Sequence, residues 1–352
     1  MSIDPQVPPP TSGRAGVRSC TVSVVIKALN EEKRIVAAIE SALAAVAEVG
    51  GEVVLADSCS TDRTIELASH YPIRIVQLAN APERCCGVGP QLGYQHCRGD
   101  YVYILDGDMQ MLPGFLSQAV DFLQTHPEVG GVAGQVVEMN THSLEYVSRM
   151  ERAASHMQSG LVDRLDMGGL YRRTAIDDAG YFSDRNLHSY EELDLAVRLR
   201  ARGWKLWRLT TEAVRHHGHD APPYALLRRR WTSGYICGLG ELVRSSWGSP
   251  RMKLVAQDVS ELRLYIAVLG WWVGLVAVLL LPLAGVLKAA LFVVLLLAPV
   301  AAMALRKKSL HKSFFSVVSW CFNSAGLIRG LMGTRRPVTA PIASVIIRDI
   351  AG

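Results

Sequence analysis

The 352-residue chain has few of the features that define a disulfide-stapled, metal-knuckle or repeat protein. Its seven cysteines (Cys20, Cys59, Cys85, Cys86, Cys97, Cys237 and Cys321) show no paired spacing and no Cys-x-x-Cys motif. A disulfide framework or zinc knuckle is therefore not expected, and a reducing compartment suits the odd count. No apolar run opens the chain. Residues 1–18 are rich in Pro, Ser and Gly, which argues against a signal peptide and against a core segment, and predicts a disordered lead-in. There is no internal repeat. No recognised nucleic-acid module accompanies the basic residues, so nucleic acid is not an expected partner.

Charge is also scarce in one place. Between Leu262 and Leu305 only Arg263 and Lys288 are charged, whereas the preceding 260 or so residues read as an ordinary α/β protein. Two units follow: a domain over 19–245 and a membrane module over 246–352. The stretches 262–281 and 286–305 each approach the roughly 20 apolar residues needed to cross a bilayer. Basic residues before the first (Arg244 to Arg263) and after the second (Arg306, Lys307, Lys308, Lys312) place both flanks on the cytoplasmic side. Residues 314–332 are interrupted by Asn323 and Arg329, and Arg335-Arg336 follow. An interfacial or re-entrant helix is favoured there over a third span. Arginines and lysines crowd residues 198–253, a face suited to anionic headgroups or phosphates.

In the first unit, Thr21–Ile26 reads as a buried strand, with Asn30 placed to cap a helix whose apolar face carries Ile35, Ile39 and Leu43. Residues 52–56 and 73–77 repeat the strand signal around a helix starting at Thr64. Tyr101–Leu105 is a further strand, 130–137 another, 143–157 a helix, 191–202 a helix and 205–209 a strand. Such alternation predicts an α/β fold with a mostly parallel sheet covered on both faces, whose ligands sit at the carboxyl ends of the strands.

Polar segments fall at those ends. Lys27-Ala28-Leu29-Asn30-Glu31-Glu32 follows the first strand, and Asp57-Ser58-Cys59-Ser60-Thr61-Asp62 follows the second. Each alone reads as a helix cap or polar loop. Asp106-Gly107-Asp108 ends the buried strand at 101–105; as a bare tripeptide it is a tight turn, but here it offers hard oxygen ligands to Mg2+ or Mn2+. Glu191-Glu192 opens a helix, where acidic residues are ordinary, yet in a cleft one of them can take a proton from an acceptor hydroxyl. No single lysine obviously supplies the charge a leaving diphosphate needs.

Together and in this order, these segments resemble the family 2 glycosyltransferases of the GT-A fold over about residues 21–235. The resemblance implies a GT-A domain that uses a nucleotide-sugar donor, UDP-sugar ahead of GDP-sugar, with Mg2+ or Mn2+. It assigns Ala28, Leu29, Glu31, Asp57 and Asp106 to the nucleotide, and Asp106 with Asp108 to the metal as the Asp-x-Asp motif. Glu191-Glu192 takes the place of the family's Glu-Asp pair, making Glu192 the expected base with Glu191 as substitute. Met167-Gly168-Gly169 resembles the acceptor-side glycine segment. Arg230-Trp231 resembles the end of the Gln-x-x-Arg-Trp motif of processive synthases, with Leu227 in place of Gln; a basic amphipathic helix is the other reading. In His216-His217-Gly218-His219, His217 and His219 are placed ahead of His216 as additions to the metal site, a polar loop being the alternative. Pro90-Gln91 stands where many relatives have Arg-Asn.

The expected activity is inverting sugar transfer to a saccharide or lipid-linked acceptor at the cytoplasmic face of a bacterial inner membrane, with membrane lipids as partners. A polyprenyl-phosphate glycosyltransferase is the alternative, suggested by Asp108-Met109-Gln110 with Pro113. A non-catalytic membrane scaffold is the reading from outside enzymology.

Overall fold

The computed structural model describes residues 21–140, 155–166, 168–218 and 222–350. The expected lead-in at 1–18, His219 and most of the expected helix 143–157 lie outside these residues. The chain runs β1 (Val22–Ala28), α1 (Ile35–Val49), β2 (Gly51–Asp57), α2 (Thr64–Ala68), β3 (Arg74–Leu78), α3 (Val88–His96), β4 (Tyr101–Asp106) and β5 (Met109–Met111). Next come α4 (Phe115–Thr125), β6 (Val129–Glu138), β7 (Gly160–Val162), β8 (Gly169–Arg172), α5 (Arg173–Ala179), α6 (Glu191–Ala201) and β9 (Lys205–His216). The remainder is α7 (Pro223–Thr232), α8 (Gly238–Ser246), α9 (Arg251–Asp258), α10 (Glu261–Leu280), α11 (Gly285–Lys307), α12 (Leu310–Met332) and β10 (Ser344–Arg348).

The sheet order is β10-β3-β2-β1-β4-β8-β6-β9-β5, with β7 also on β9. Strands β3, β2, β1 and β4 are mutually parallel, as the alternating pattern predicts. Their β-branched and leucine side chains are buried on both faces, so the two cores lie on either side of the sheet. One holds Ile35 and Ile39 of α1 with Phe115 of α4; the other holds Leu92 of α3 with Leu195 and Leu199 of α6.

Beyond β4 the sheet is mixed, because β8 runs antiparallel to both β4 and β6. Strand β9 is also longer than the expected 205–209. Its pairing with β6 continues, through register shifts, to Glu138 opposite His216, which delivers His216 to the same edge as the Asp106 turn.

Asn30 does not cap α1. That helix begins at Ile35 behind Arg34, with no side-chain cap bond. Asn30 instead adopts a left-handed backbone (φ 58°), and its Oδ1 accepts from Thr61 N at 2.8 Å. The residue type suits either role, and the neighbouring loop decides between them.

Helices α10 and α11 have the length and apolar composition to cross a membrane. Their surfaces are not those of soluble core helices: Leu280 is 79% and Val286 87% exposed. Helix α12 falls outside that class and docks on the domain. Gly240 of α8 faces the Leu327 carbonyl, and Gly330 of α12 faces the Cys237 carbonyl, so closely that a Cβ at either would fall inside van der Waals contact. Trp231 of α7 meets Phe322 of α12 with ring centroids 5.5 Å apart.

The expected membrane module of 246–352 is not continuous. After α12 the chain returns to the sheet, where β10 pairs antiparallel with β3. Arg335 pairs with Asp184 at 2.9 Å, Arg336 with Glu83 at 2.6 Å and Asp349 with Arg74 at 2.7 Å along the way. A repeat of two apolar spans carries no signal for this return, because five residues of strand are too short to stand out.

Backbone-to-backbone packing at Gly330 leaves no room for a methyl. Gly330→Ala is expected to cost about 1–3 kcal/mol, read as a lower Tm of the detergent-solubilised chain, whereas alanine at Gly285, which has open space around it, should change Tm little.

Candidate active site

The carboxyl ends of β1, β2 and β4 converge on one cleft. Strand register sets Lys27 beside Asp106 and Ala28 beside Asp57. The loops after β1 and β2 are joined by Ser58 N to Ala28 O (2.9 Å), Asn30 N to Ser60 Oγ (2.8 Å), Glu31 N to Thr64 Oγ1 (2.8 Å) and Glu32 N to Asp62 Oδ2 (3.0 Å). Ala28 is buried and Leu29 half-buried in this joint. Asp57 is fully buried. Its Oδ2 accepts from Ser60 N and Gln77 Nε2, both at 2.9 Å. Its Oδ1 has no hydrogen-bond partner, a costly state for a buried acceptor that a ligand N–H or hydroxyl would relieve.

The Asp-x-Asp turn is held by Gly107 N donating to Lys27 O at 3.0 Å and His217 N donating to Asp108 O at 3.1 Å. Lys27 Nζ lies 2.9 Å from Asp106 Oδ1 and 3.5 Å from Glu191 Oε1. Burial works against its charge, but Asp106, then Glu191 and Glu192, outweigh that and hold the ammonium well above the usual lysine range. The lysine that seemed missing for charge neutralisation is thus inside the first motif. Its signal was a lone charged side chain ending an otherwise apolar strand.

Of the described histidines, His216 brings its side chain to the turn. Its Nε2 is 3.5 Å from Asp108 Oδ2 and its Nδ1 2.7 Å from Glu138 Oε2. Burial lowers an imidazole, yet these two carboxylates raise His216 above its ordinary value. The side chain of His217 instead reaches Gln110, with Nε2 3.4 Å from Oε1. His217, expected ahead of His216, follows the last residue of β9 and turns its ring to this other partner, while His219 lies outside the described residues. Glu138 was not anticipated, because its partner lies 78 residues on.

Burial, then Asp108 and Asp106, push the Glu31 carboxyl up to about 7. This surplus of negative charge and its hard oxygen donors fit Mg2+ or Mn2+, with Asp106 and Asp108 as the holding residues. Among the described residues, no three acidic, histidine or cysteine side chains form a cage on their own, so a cation held there would need oxygens from elsewhere.

Lys27, Glu191, Glu192, Gly168, Gly169 and Pro90 share one pocket with an apolar wall of Leu165, Phe182 and Leu195. Both expected acceptor-side glycines and the acidic pair are therefore together. Asp194, in the same first turn, is spent on Arg198 in a buried ion pair of 2.8 Å. Burial pushes Glu192 well above the carboxylate range, with Lys27 opposing and Asp166 and Glu191 adding. Gln91 has a structural task, its Oε1 accepting from Phe182 N and Ser183 N at 3.0 and 2.9 Å. Arg230 and Trp231 do not line the pocket. Arg230 lies over Tyr235 and Trp231 packs on α12, while the guanidinium acting on Glu31 is that of Arg229.

Residues 23–180 match the model of Glycosyl transferase family 2. The chain carries a family 2 glycosyltransferase domain. Similar proteins include glucomannan 4-beta-mannosyltransferase 2 of Arabidopsis thaliana, 31% identical over 151 residues, which are 40% of this chain and 28% of that one. Probable glucomannan 4-beta-mannosyltransferase 7 of Oryza sativa subsp. japonica is 31% identical over 179 residues, 47% of this chain and 28% of the relative. The chain thus spans under a third of the length of these curated relatives. A solved structure, the mannosyltransferase PcManGT from Pyrobaculum calidifontis in complex with GDP-Man and Mn2+, superposes with a TM-score of 0.57 at 20% identity over 88% of this chain and 87% of that one. That likeness establishes a GT-A-like fold for the family 2 domain.

If His216 orients Asp108, His216→Ala should weaken Mn2+-dependent GDP or UDP binding by about 10- to 100-fold, the usual cost of losing such a supporting group. His217→Ala should cost several-fold less. Calorimetric titration of both variants checks the order.

Proposed function

We propose that this chain transfers a sugar from a nucleotide-diphosphate donor, with inversion and with Mg2+ or Mn2+, to a saccharide or lipid-linked acceptor at a membrane surface. The observation that carries this reading is that Asp57 and the Asp106–Asp108 turn stand at the carboxyl ends of strands flanking β1, whose Lys27 bridges Asp106 to Glu191 of the acidic pair. The buried, unpaired Asp57 Oδ1 suits a base N–H or ribose hydroxyl of the nucleotide. The relatives named as mannosyltransferases make a nucleotide-linked mannose the first donor to test, with UDP-sugars beside it.

Asp106 and Asp108 would hold the cation, which supplies charge neutralisation for the leaving diphosphate when bound. Glu192 is the proton acceptor: its oxygen takes the acceptor hydroxyl's proton as that oxygen bonds to the anomeric carbon and the bond to the diphosphate breaks. Glu191, 3.5 Å from Lys27, is the substitute. Leu165, Phe182 and Leu195 keep water from the reacting atoms. The exposed apolar surfaces of α10 and α11, beside the docked α12, hold the cleft next to a bilayer. A bacterial inner membrane, with the domain on the cytoplasmic side, agrees with the basic flanks of both helices.

One observation favours a polyprenyl-phosphate acceptor as second reading. Arg228 and Arg229 are exposed on α7, whose Tyr224 and Trp231 pack on Phe315 and Phe322 of α12, and Arg229 acts on Glu31, so basic side chains stand between α12 and the loop after β1. A phosphate nucleophile needs no strong base.

Glu192→Gln separates the readings. With a hydroxyl acceptor it should lower kcat by about 100- to 10,000-fold while donor binding holds, and Glu191→Gln should cost less. Full activity in Glu192→Gln, with lipid phosphate as acceptor, would move the second reading ahead. In the wild type, the raised Glu192 carboxyl must lose its proton before it can act as base. Its acid limb in kcat/KM should accordingly lie above the usual carboxylate range of about 4 to 5, and activity should be lost as pH falls through it.

A further inference from the structure

Strand pairing, rather than a chance surface encounter, places Lys27 next to Asp106: the two are register partners on β1 and β4. The stem of Lys27 is packed, with Gly89 of α3 so close that a Cβ there would stand 3.2 Å from Lys27 Cβ. Its ammonium takes one oxygen of Asp106 at 2.9 Å and approaches Glu191 at 3.5 Å. An Asp-x-Asp turn presented to a cation therefore already has a monovalent cation on its first carboxylate.

We propose that Lys27 is the built-in counter-ion of the Asp106–Asp108 turn, a positioning residue that keeps the turn from capturing a free divalent cation and admits one only together with a nucleoside diphosphate. The inference rests on the metal reading of that turn. A divalent ion on Asp106 would compete with the ammonium for the same oxygen and be repelled by it over a few ångströms, where charges in a protein environment change affinities by more than tenfold. The described side chains form no three-ligand cage to offset that repulsion. A diphosphate brings both the missing oxygens and enough negative charge to accommodate the ammonium and the divalent ion together. Lys27 would then lie beside the diphosphate, and its link to Glu191 ties the filling of the donor site to the helix that carries the base.

The test uses the full-length chain in detergent and reads free Mn2+ by electron paramagnetic resonance, alone and with GDP or UDP. Wild type should bind Mn2+ at least about tenfold more tightly with a nucleoside diphosphate than without. Lys27→Met should gain about tenfold or more in affinity for Mn2+ alone, Lys27→Gln should show the same direction, and Lys27→Arg should keep the wild-type dependence. Circular dichroism identifies which variants are folded. Equal Mn2+ affinity with and without nucleotide in wild type overturns the proposal with no variant needed. Nucleotide-dependent binding in wild type, but no gain in a folded Lys27→Met or Lys27→Gln, overturns it while leaving the metal reading standing. Absence of Mn2+ binding in every state overturns the metal reading and this inference with it.

Discussion

The carboxylates of Glu31, Asp106, Asp108, Glu191 and Glu192 gather around Lys27 and His216 at the end of a sheet whose strands are buried on both faces. Carboxylates are not left charged in such a place without cations, because removing them from water costs more than a typical interaction returns. The cleft meets that constraint in two ways. It recruits the internal ammonium and imidazole, and it raises Glu31 and Glu192 toward neutrality. Both responses mark the Asp106–Asp108 turn as the place where negative charge is most crowded.

The same charge arrangement distributes the tasks in the first turn of α6. Asp194 is closed off by Arg198, while Glu191 and Glu192 both line the pocket beside Gly168 and Gly169, Glu191 within 3.5 Å of Lys27 and Glu192 raised by burial. Three acids within four residues thus have three environments. A group whose carboxyl is raised by burial makes a stronger proton acceptor once ionised than a solvent-exposed carboxylate.

The position of the apolar helices relative to the domain is set by backbone contact. Glycines on α8 and α12 bring the two helices close enough for carbonyl oxygens to meet Cα atoms, and α12 in turn packs along α10 and α11. The return of the chain through Arg335, Arg336 and β10 fastens the far side of that assembly to the sheet edge beside β3, the strand whose Gln77 holds Asp57. Asp57 and the apolar helices consequently belong to one connected structure.

The alternation of apolar strands and amphipathic helices was enough to reveal the parallel half of the sheet, the strand-end position of Asp57, Asp106 and Asp108, and two helices of membrane-crossing length. These are local signals, written in residues a few positions apart. Other features depend on partners remote in the chain. Asn30 bonds to Thr61 instead of capping a helix, His216 rather than His217 meets Asp108, Glu138 supports it across 78 residues, and β10 closes a sheet begun more than 250 residues earlier. Lys27 stood in plain view in the first motif, but a charged residue at a strand end carries no sign of which acid it will face. Strand register decided that, because pairing β1 with β4 places Lys27 beside Asp106, and register is a property of the folded sheet that a single strand does not contain.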